Sequence, residues 1–285
     1  MLATLIVGCR RERATTTREL RDDYGAVLDT SNAAQRIVSL NPTTTEILFA
    51  LGVGDRVVGR SHWDLWPLEA QRVPEVGDAI RPSVERVLAS RPDLVVLYAS
   101  GDNRDAADAL TNAGIHVASF RIDRIADFTR VLRLLGALTG SSETAAVVAD
   151  SVQRSLDAVR ASVSLRAQRP RVFIHVWDNP LMAIGGGSFM SELVEISGGR
   201  NIYGDRTEPS ITVSFEDLLK RNPDVVLAGP TTAGTLRESP RWRSLPAIRE
   251  GRLLTYDTML VARPSVRLGE AARSLADLFR HVGNR

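Results

Sequence analysis

Residues 83–97 read SVERVLASRPDLVVL, and residues 214–228 read SFEDLLKRNPDVVLA. Aligned without a gap, the two passages share Ser83/Ser214, Glu85/Glu216, Leu88/Leu219, Pro92/Pro223, Asp93/Asp224 and Val95/Val226. The repetition reaches further. RIVSL (36–40) has a counterpart in RVFIH (171–175), each a short β-branched run of strand type. TEILFALG (45–52) answers to SELVEISG (191–198): a capping-type residue, a glutamate, apolar positions at helical spacing, and a terminating glycine. NAGIHVASF (112–120) parallels REGRLLTYD (249–257), a helix end followed by a strand. The blocks recur in one order, so the chain writes a single lobe architecture twice.

Within each copy, proline ends a helix and the apolar run after it lacks alternation, as expected of a parallel strand buried on both faces. Strands alternating with helices predict a parallel α/β sheet in each half. A chain of 285 residues that is 44% hydrophobic has interior enough for two such lobes. Between them lies SSETAAVVADSVQRSLDAVRASVSLRAQ (141–168), with no Gly or Pro and with Ala/Val/Leu at three- and four-residue steps. That pattern predicts one helix of roughly 25 residues, about 38 Å long. The expected organisation is a leader and tether (1–19), an N-terminal lobe (20–140), a connecting helix (141–168) and a C-terminal lobe (169–285). A rigid rod between lobes predicts a cleft whose walls move little.

Cys9 is the one cysteine, which excludes an internal disulfide and any multi-cysteine metal site. It follows the apolar run MLATLIVG, and Ile6-Val7-Gly8-Cys9 resembles a bacterial lipobox, in which the cysteine is acylated and becomes the first mature residue. The run has no basic start and is shorter than an ordinary signal peptide, so a short apolar start with a chance cysteine is the alternative. On the lipobox reading, RRERATTTREL is a tether between membrane and lobe. No second apolar stretch approaches the roughly 18–20 residues that cross a bilayer. Lys+Arg 36 against Asp+Glu 34 is near balance, with no basic run of the kind that binds nucleic acid.

Groups for catalysis are sparse. Of the four histidines, His116 falls in a predicted strand and His281 near the C-terminus, while His62 and His175 approach the strand ends. Two scattered histidines fall short of the roughly four N/O ligands that a transition-metal site gathers. GGGSF (185–189) lacks the Gly-Lys-Ser/Thr ending of a phosphate loop and reads as a mobile turn. Ser188 has no histidine–carboxylate partner in local sequence, so no enzyme chemistry is expected.

The stretches RIVSLNPTTTEILFALGVGDRVVGRSHWDLWP (36–67), SVERVLASRPDLVV and FMSELVEISGGRNIYGD (189–205), in this order, carry a family resemblance. With duplicated lobes, one connecting helix and the Cys9 motif, the chain resembles the helical-backbone class of ABC-transporter substrate-binding proteins. That class includes receptors for cobalamin, ferric siderophores and haem. The resemblance spans roughly residues 20–283. It implies a lipid-anchored, extracytoplasmic monomer with no cofactor of its own, which hands a metal chelate to a permease and its ATPase subunits. A lipid-anchored sensory module without a permease is the alternative. In this family one exposed glutamate per lobe contacts permease arginines, and the matching positions are Glu85 and Glu216. A helix dipole also favours a first-turn carboxylate, but a symmetric pair fits docking better.

In parallel α/β lobes ligands sit outside the carboxyl ends of the strands. The loops expected there carry Trp63, Trp66, Tyr98 and Trp177, which either line the cleft or anchor their own loops. Trp242 reads as a local helix anchor. Arg263 matches a family arginine facing the cleft, Arg267 is either its helper or a helix-surface charge, and Asn41 and Thr43 open a helix whose free N–H groups suit a polar ligand atom. The expected ligand is a cobalamin-like corrinoid, with a ferric siderophore or haem (His62 as axial ligand) as alternatives. Ala79, where a tryptophan would favour a corrinoid, and Met259–Leu260 depart from the cobalamin receptors' aromatic pattern.

Overall fold

The structure, a computed structural model, describes residues 19–165, 168–280 and 282. Cys9, the tether up to residue 18, and His281 lie outside the described residues.

The first half runs β1 (Ile37–Ser39), α1 (Pro42–Ala50), β2 (Val57–Ser61), β3 (Glu75–Gly77), α2 (Val84–Ala89), β4 (Leu94–Tyr98), α3 (Arg104–Asn112), β5 (His116–Phe120) and α4 (Ile125–Leu138). Its strands form one parallel sheet in the order β3-β2-β1-β4-β5. Every residue of β1 and Leu94–Leu97 of β4 are buried, which is why these runs read as continuously apolar.

After α5 (Ser142–Val163), the second half runs β6 (Arg171–Asp178), β7 (Leu181–Ile184), α6 (Phe189–Ile196), β8 (Arg200–Asn201), β9 (Ser210–Thr212), α7 (Phe215–Arg221) and β10 (Val225–Ala228). It continues through α8 (Pro230–Glu238), α9 (Pro240–Arg243), α10 (Pro246–Arg249), β11 (Leu253–Thr255), α11 (Thr258–Val261) and α12 (Leu268–Arg280). Strands β6, β8, β10 and β11 are mutually parallel, but β7 and β9 are antiparallel additions, so this sheet is mixed. The reason is local. Only Asn179 and Pro180 separate β6 from β7, too few residues for a crossover, so the chain must double back as a hairpin.

Helix α5 has 22 residues, about 33 Å of rod. Ala145, Ala149, Val152, Leu156, Val159 and Val163 are its buried residues, spaced by four and three, and they form one stripe. That stripe belongs to a single apolar cluster reaching from Ile47 and Phe128 in the first lobe to Leu193 and Leu275 in the second. Both lobes therefore share the core of the rod. The approach is close: a Cβ on Gly269 of α12 would stand 2.0 Å from the Ser155 Oγ of α5.

The repeated passage turns out to be a clasp. In the first lobe, Asp93 accepts from the Gln35 and Arg36 N–H groups, while the Arg36 guanidinium donates to the carbonyls of Ser90 and Arg91 at the end of α2. In the second, Asp224 accepts from the Arg171 N–H, and the Arg171 guanidinium donates to the carbonyls of Arg221 and Asn222 at the end of α7. Arg91 and Asn222 each take a left-handed conformation, φ 50° and 41°, that stops the helix before proline. Helix carbonyls left without partners are thus satisfied by an arginine at the start of the neighbouring strand in the sheet. Ser83 and Ser214 cap the other ends, accepting from the Arg86 and Asp217 N–H groups.

Candidate functional site

The clasp fixes direction. It pins the C-terminal ends of α2 and α7 to the strand starts of β1 and β6, so their N-terminal ends point toward the opposite, carboxyl edge of each sheet. Glu85 and Glu216 stand in those first turns, both exposed. Glu216 pairs with Lys220 on its own helix, at 2.8 Å and largely in solvent. Among the residues the two passages share, serine caps, aspartate clasps and valine is buried, whereas the glutamates serve no interior purpose.

The carboxyl edges of the two sheets face each other. At these edges the N-terminal lobe carries Asn41, Thr43 in the first turn of α1, Trp63, Asp64 and Trp66 after β2, and Tyr98 at the end of β4; the C-terminal lobe carries Trp177 near the end of β6, and Arg263 and Arg267 after α11. Several contacts bridge the lobes here. Arg267 places its guanidinium 4.3 Å from the centre of the Trp66 ring, and its Nε lies 3.8 Å from Glu46 Oε2. The Phe189 N–H donates to the Asp123 carbonyl, and Glu192 takes both the Arg124 guanidinium, at 2.6 Å, and the Ile125 N–H. Glu46 and Glu192 occupy matching positions of the repeated TEILFALG/SELVEISG block. Each reaches across to an arginine of the other lobe.

The sequence reading missed Glu46 and Asp64, which the structure brings beside Arg263 and Arg267. Glu46 is 2% exposed and Asp64 0%. Burial pushes the Glu46 carboxyl up to about 7, with Arg267 and Arg263 pulling it partly back. Burial likewise lifts Asp64 to about 6, although the Ser61 N–H bonds its Oδ2 at 2.6 Å. Neither Glu46 oxygen, nor Asp64 Oδ1, Arg263 Nη1 or Arg267 Nε, makes a hydrogen bond. Desolvation also lowers the Arg263 pKa. The sequence offers a faint signal, a glutamate set directly before Ile47 and Leu48; the structure adds that Thr43 through Leu48 are all buried, and a buried glutamate must be paired or protonated.

The other expected residues divide. Trp63 is 50% exposed, tilted against His62 at 4.5 Å between ring centres. Trp177 is 62% exposed, and its Nε1–H donates to the Asn179 carbonyl, which holds the ring and leaves its faces open. Tyr98 is half-buried, its hydroxyl 3.4 Å from Asp123 Oδ1, and burial raises its pKa. Asn41 and Thr43 are buried, and the Thr43 N–H is taken by Asn41 Oδ1 at 2.9 Å, so the donor expected to be free is already used. Thr44, Thr45 and Ser39 close a hydroxyl knot beneath them.

GGGSF is also a correction. It is no mobile turn: Gly185, Gly186 and Gly187 donate to the carbonyls of Pro209, Arg206 and Glu208, and a Cβ on Gly187 would stand 2.0 Å from the Thr207 carbonyl. Ser188 caps α6. His175 is buried between Phe173 and Trp242, with burial lowering its pKa. Trp242 is 1% exposed and donates to Asp178. Among the described residues no group of three or more His, Cys, Asp or Glu could hold a metal ion, and no helix is long and apolar enough to cross a membrane.

Comparison with known proteins meets this geometry. Residues 37–260 match the family described as periplasmic binding protein. The vitamin B12-binding protein of Salmonella typhimurium is 30% identical over 253 residues, covering 88% of this chain and 92% of its own. An uncharacterized ABC transporter substrate-binding lipoprotein of Bacillus subtilis, YvrC, is 30% identical over 250 residues, covering 85% and 79%. The structure of the periplasmic heme-binding protein RhuT from Roseiflexus superposes with a TM-score of 0.80 at 23% identity, over 88% of this chain and all of the other, and so supports the fold.

Proposed function

The chain belongs to the periplasmic binding protein family, as the substrate-binding protein of an ABC importer, and from that premise we propose that it carries a large, uncharged metal chelate, a cobalamin-like corrinoid. One observation carries the reading: Trp63 and Trp177, one on each lobe, present exposed indole faces at the strand carboxyl ends where a ligand of this fold binds. A tryptophan that only anchored its loop would be buried, as Trp242 is. Flat rings carried by both lobes suit a broad corrin ring with apolar edges and need little ordering. An anionic siderophore fits less well, because Arg263 and Arg267 already face Glu46 and Asp64. His62 beside Trp63 supports haem as the second reading.

Glu85 and Glu216 dock the loaded receptor on permease arginines, and Cys9 anchors the protein on the outer face of the membrane. Exposed carboxylates at the cleft edge of each lobe can engage two guanidiniums together, with bidentate geometry setting orientation. Titrating tryptophan fluorescence with cyanocobalamin tests the ligand. Strong quenching at micromolar concentration is expected, weakened about fivefold to tenfold in Trp63→Ala or Trp177→Ala with little change in Tm. No quenching by cyanocobalamin, with quenching by hemin or a ferric hydroxamate instead, overturns the corrinoid reading.

A further inference from the structure

Two arginines at a cleft floor, with nothing to oppose them, would attract any anionic chelate. Here each has a carboxylate beneath it. Glu46 Oε2 stands 3.8 Å from Arg267 Nε, and both Glu46 and Asp64 act on Arg263. The carboxylates themselves have almost no exposed surface, so no ligand atom can rest on them. The arginines are only partly covered: the Arg267 side chain keeps 18% of its surface, stacks on Trp66, and reaches the Met259 carbonyl. Arg263 donates to Met259 Sδ. Whatever the ligand feels of the acids, it feels through the arginines.

We propose that Glu46 and Asp64 determine charge selectivity: by neutralising Arg263 and Arg267 from below, they make the cleft favour uncharged chelates and exclude anionic ones. The proposal rests on the reading of the chain as a chelate receptor and names what that receptor accepts. At a buried site, charges a few ångströms apart interact far more strongly than in water, so two hidden negative charges oppose the field of the two largely buried positive ones. The same arrangement makes selectivity depend on pH. Glu46 is faced by Arg267, Arg263, Ser265 and Asp64, and Asp64 by Ser61, Arg60 and Arg263. The Arg60 guanidinium is turned to the carbonyls of Val73 and Ser61 and adds little direct compensation. Since burial has raised both carboxyls toward neutrality, mild acid protonates them while all three arginines stay charged. The floor then becomes cationic.

The test uses pairs of ligands matched in shape and differing in charge: cyanocobalamin against its monocarboxylate, and a neutral ferric trihydroxamate against a ferric tricatecholate. At pH 8 the wild-type protein should bind the neutral member of its ligand class at least about tenfold tighter than the anionic member. At pH 5.5 that preference should shrink by on the order of tenfold, and E46Q, D64N or the double variant should show the reduced preference already at pH 8. The wild-type pH series needs no substitution, so misfolding of a variant does not decide the outcome. Tighter binding of the anionic member at pH 8, or a preference equal at both pH values, overturns the proposal. Binding of the trihydroxamate in place of cyanocobalamin, with the same preference for neutral ligands, overturns the corrinoid reading and upholds this one. Binding of none of the four overturns both.

Discussion

Replacing Glu46 by glutamine should make the protein more stable at pH 8, relative to wild type, than at pH 4.5. Glutamine keeps the shape of the side chain and removes its ionisation. A carboxyl whose pKa rises from 4.5 to about 7 on folding costs about 3 kcal/mol more to ionise in the folded state than in the unfolded one. The folded protein holds the extra proton between about pH 4.5 and pH 7, so this contribution is fully present below that window and lost as pH rises through it. An opposing effect exists. Breaking a buried ion pair commonly costs about 3–5 kcal/mol, because the remaining charge is stranded. The geometry decides against it here: at 3.8 Å the contact with Arg267 exceeds hydrogen-bond range, and Arg263 and the Ser265 hydroxyl, near enough to pull the Glu46 pKa down, do not reach hydrogen-bonding geometry with it. Desolvation dominates, and the raised value of about 7 is already net of the attraction of Arg267 and Arg263, so the pairing lost by glutamine at pH 8 is counted within it. Asp64 titrates in both proteins and largely cancels. Urea unfolding of wild type and E46Q at pH 4.5 and 8 should show the stability difference moving toward the variant by about 3 kcal/mol. A difference unchanged across the range would show that Glu46 is not desolvated and would refute the reasoning.

Three other outcomes are expected. Asp93→Asn and Asp224→Asn should each destabilise by about 1–3 kcal/mol in chemical denaturation, since each leaves strand-start N–H groups with a weaker acceptor; a neutral effect at both would deny that the repeated aspartates hold the clasp. Reversing Glu85 and Glu216 to arginine should abolish stimulation of the partner transporter and leave ligand affinity within about twofold, because loss of desolvated charge pairs costs about 2–5 kcal/mol at an interface. Normal stimulation by the double variant would reduce the glutamates to helix-start residues. Cys9→Ser should move the protein from the membrane to the soluble fraction, and unchanged retention would remove the lipid anchor.

The repeated passage, read alone, determined two like lobes of parallel strands and helices, because hydrophobic periodicity and proline position are local and survive in any context. It also singled out Glu85 and Glu216 and placed the tryptophans at strand ends, since in a parallel sheet the order of elements dictates which loops share an edge. Only the tertiary structure decided what those residues meet. Asn41 spends its side chain on Thr43, GGGSF is packed against the 204–209 segment, and Asn179-Pro180 turns β6 back into a mixed sheet. The GGGSF contacts depend on a segment distant in the chain, whereas the Asn41 cap and the Asn179-Pro180 hairpin are local features whose outcome the pattern of strands and helices does not show. The buried cluster shows this most plainly: Glu46 and Asp64 lie more than 190 residues from Arg263 in the chain and become its neighbours only when the lobes close on their shared helix. Their protonation is set by desolvation, a property of the folded interior that no single stretch of sequence contains.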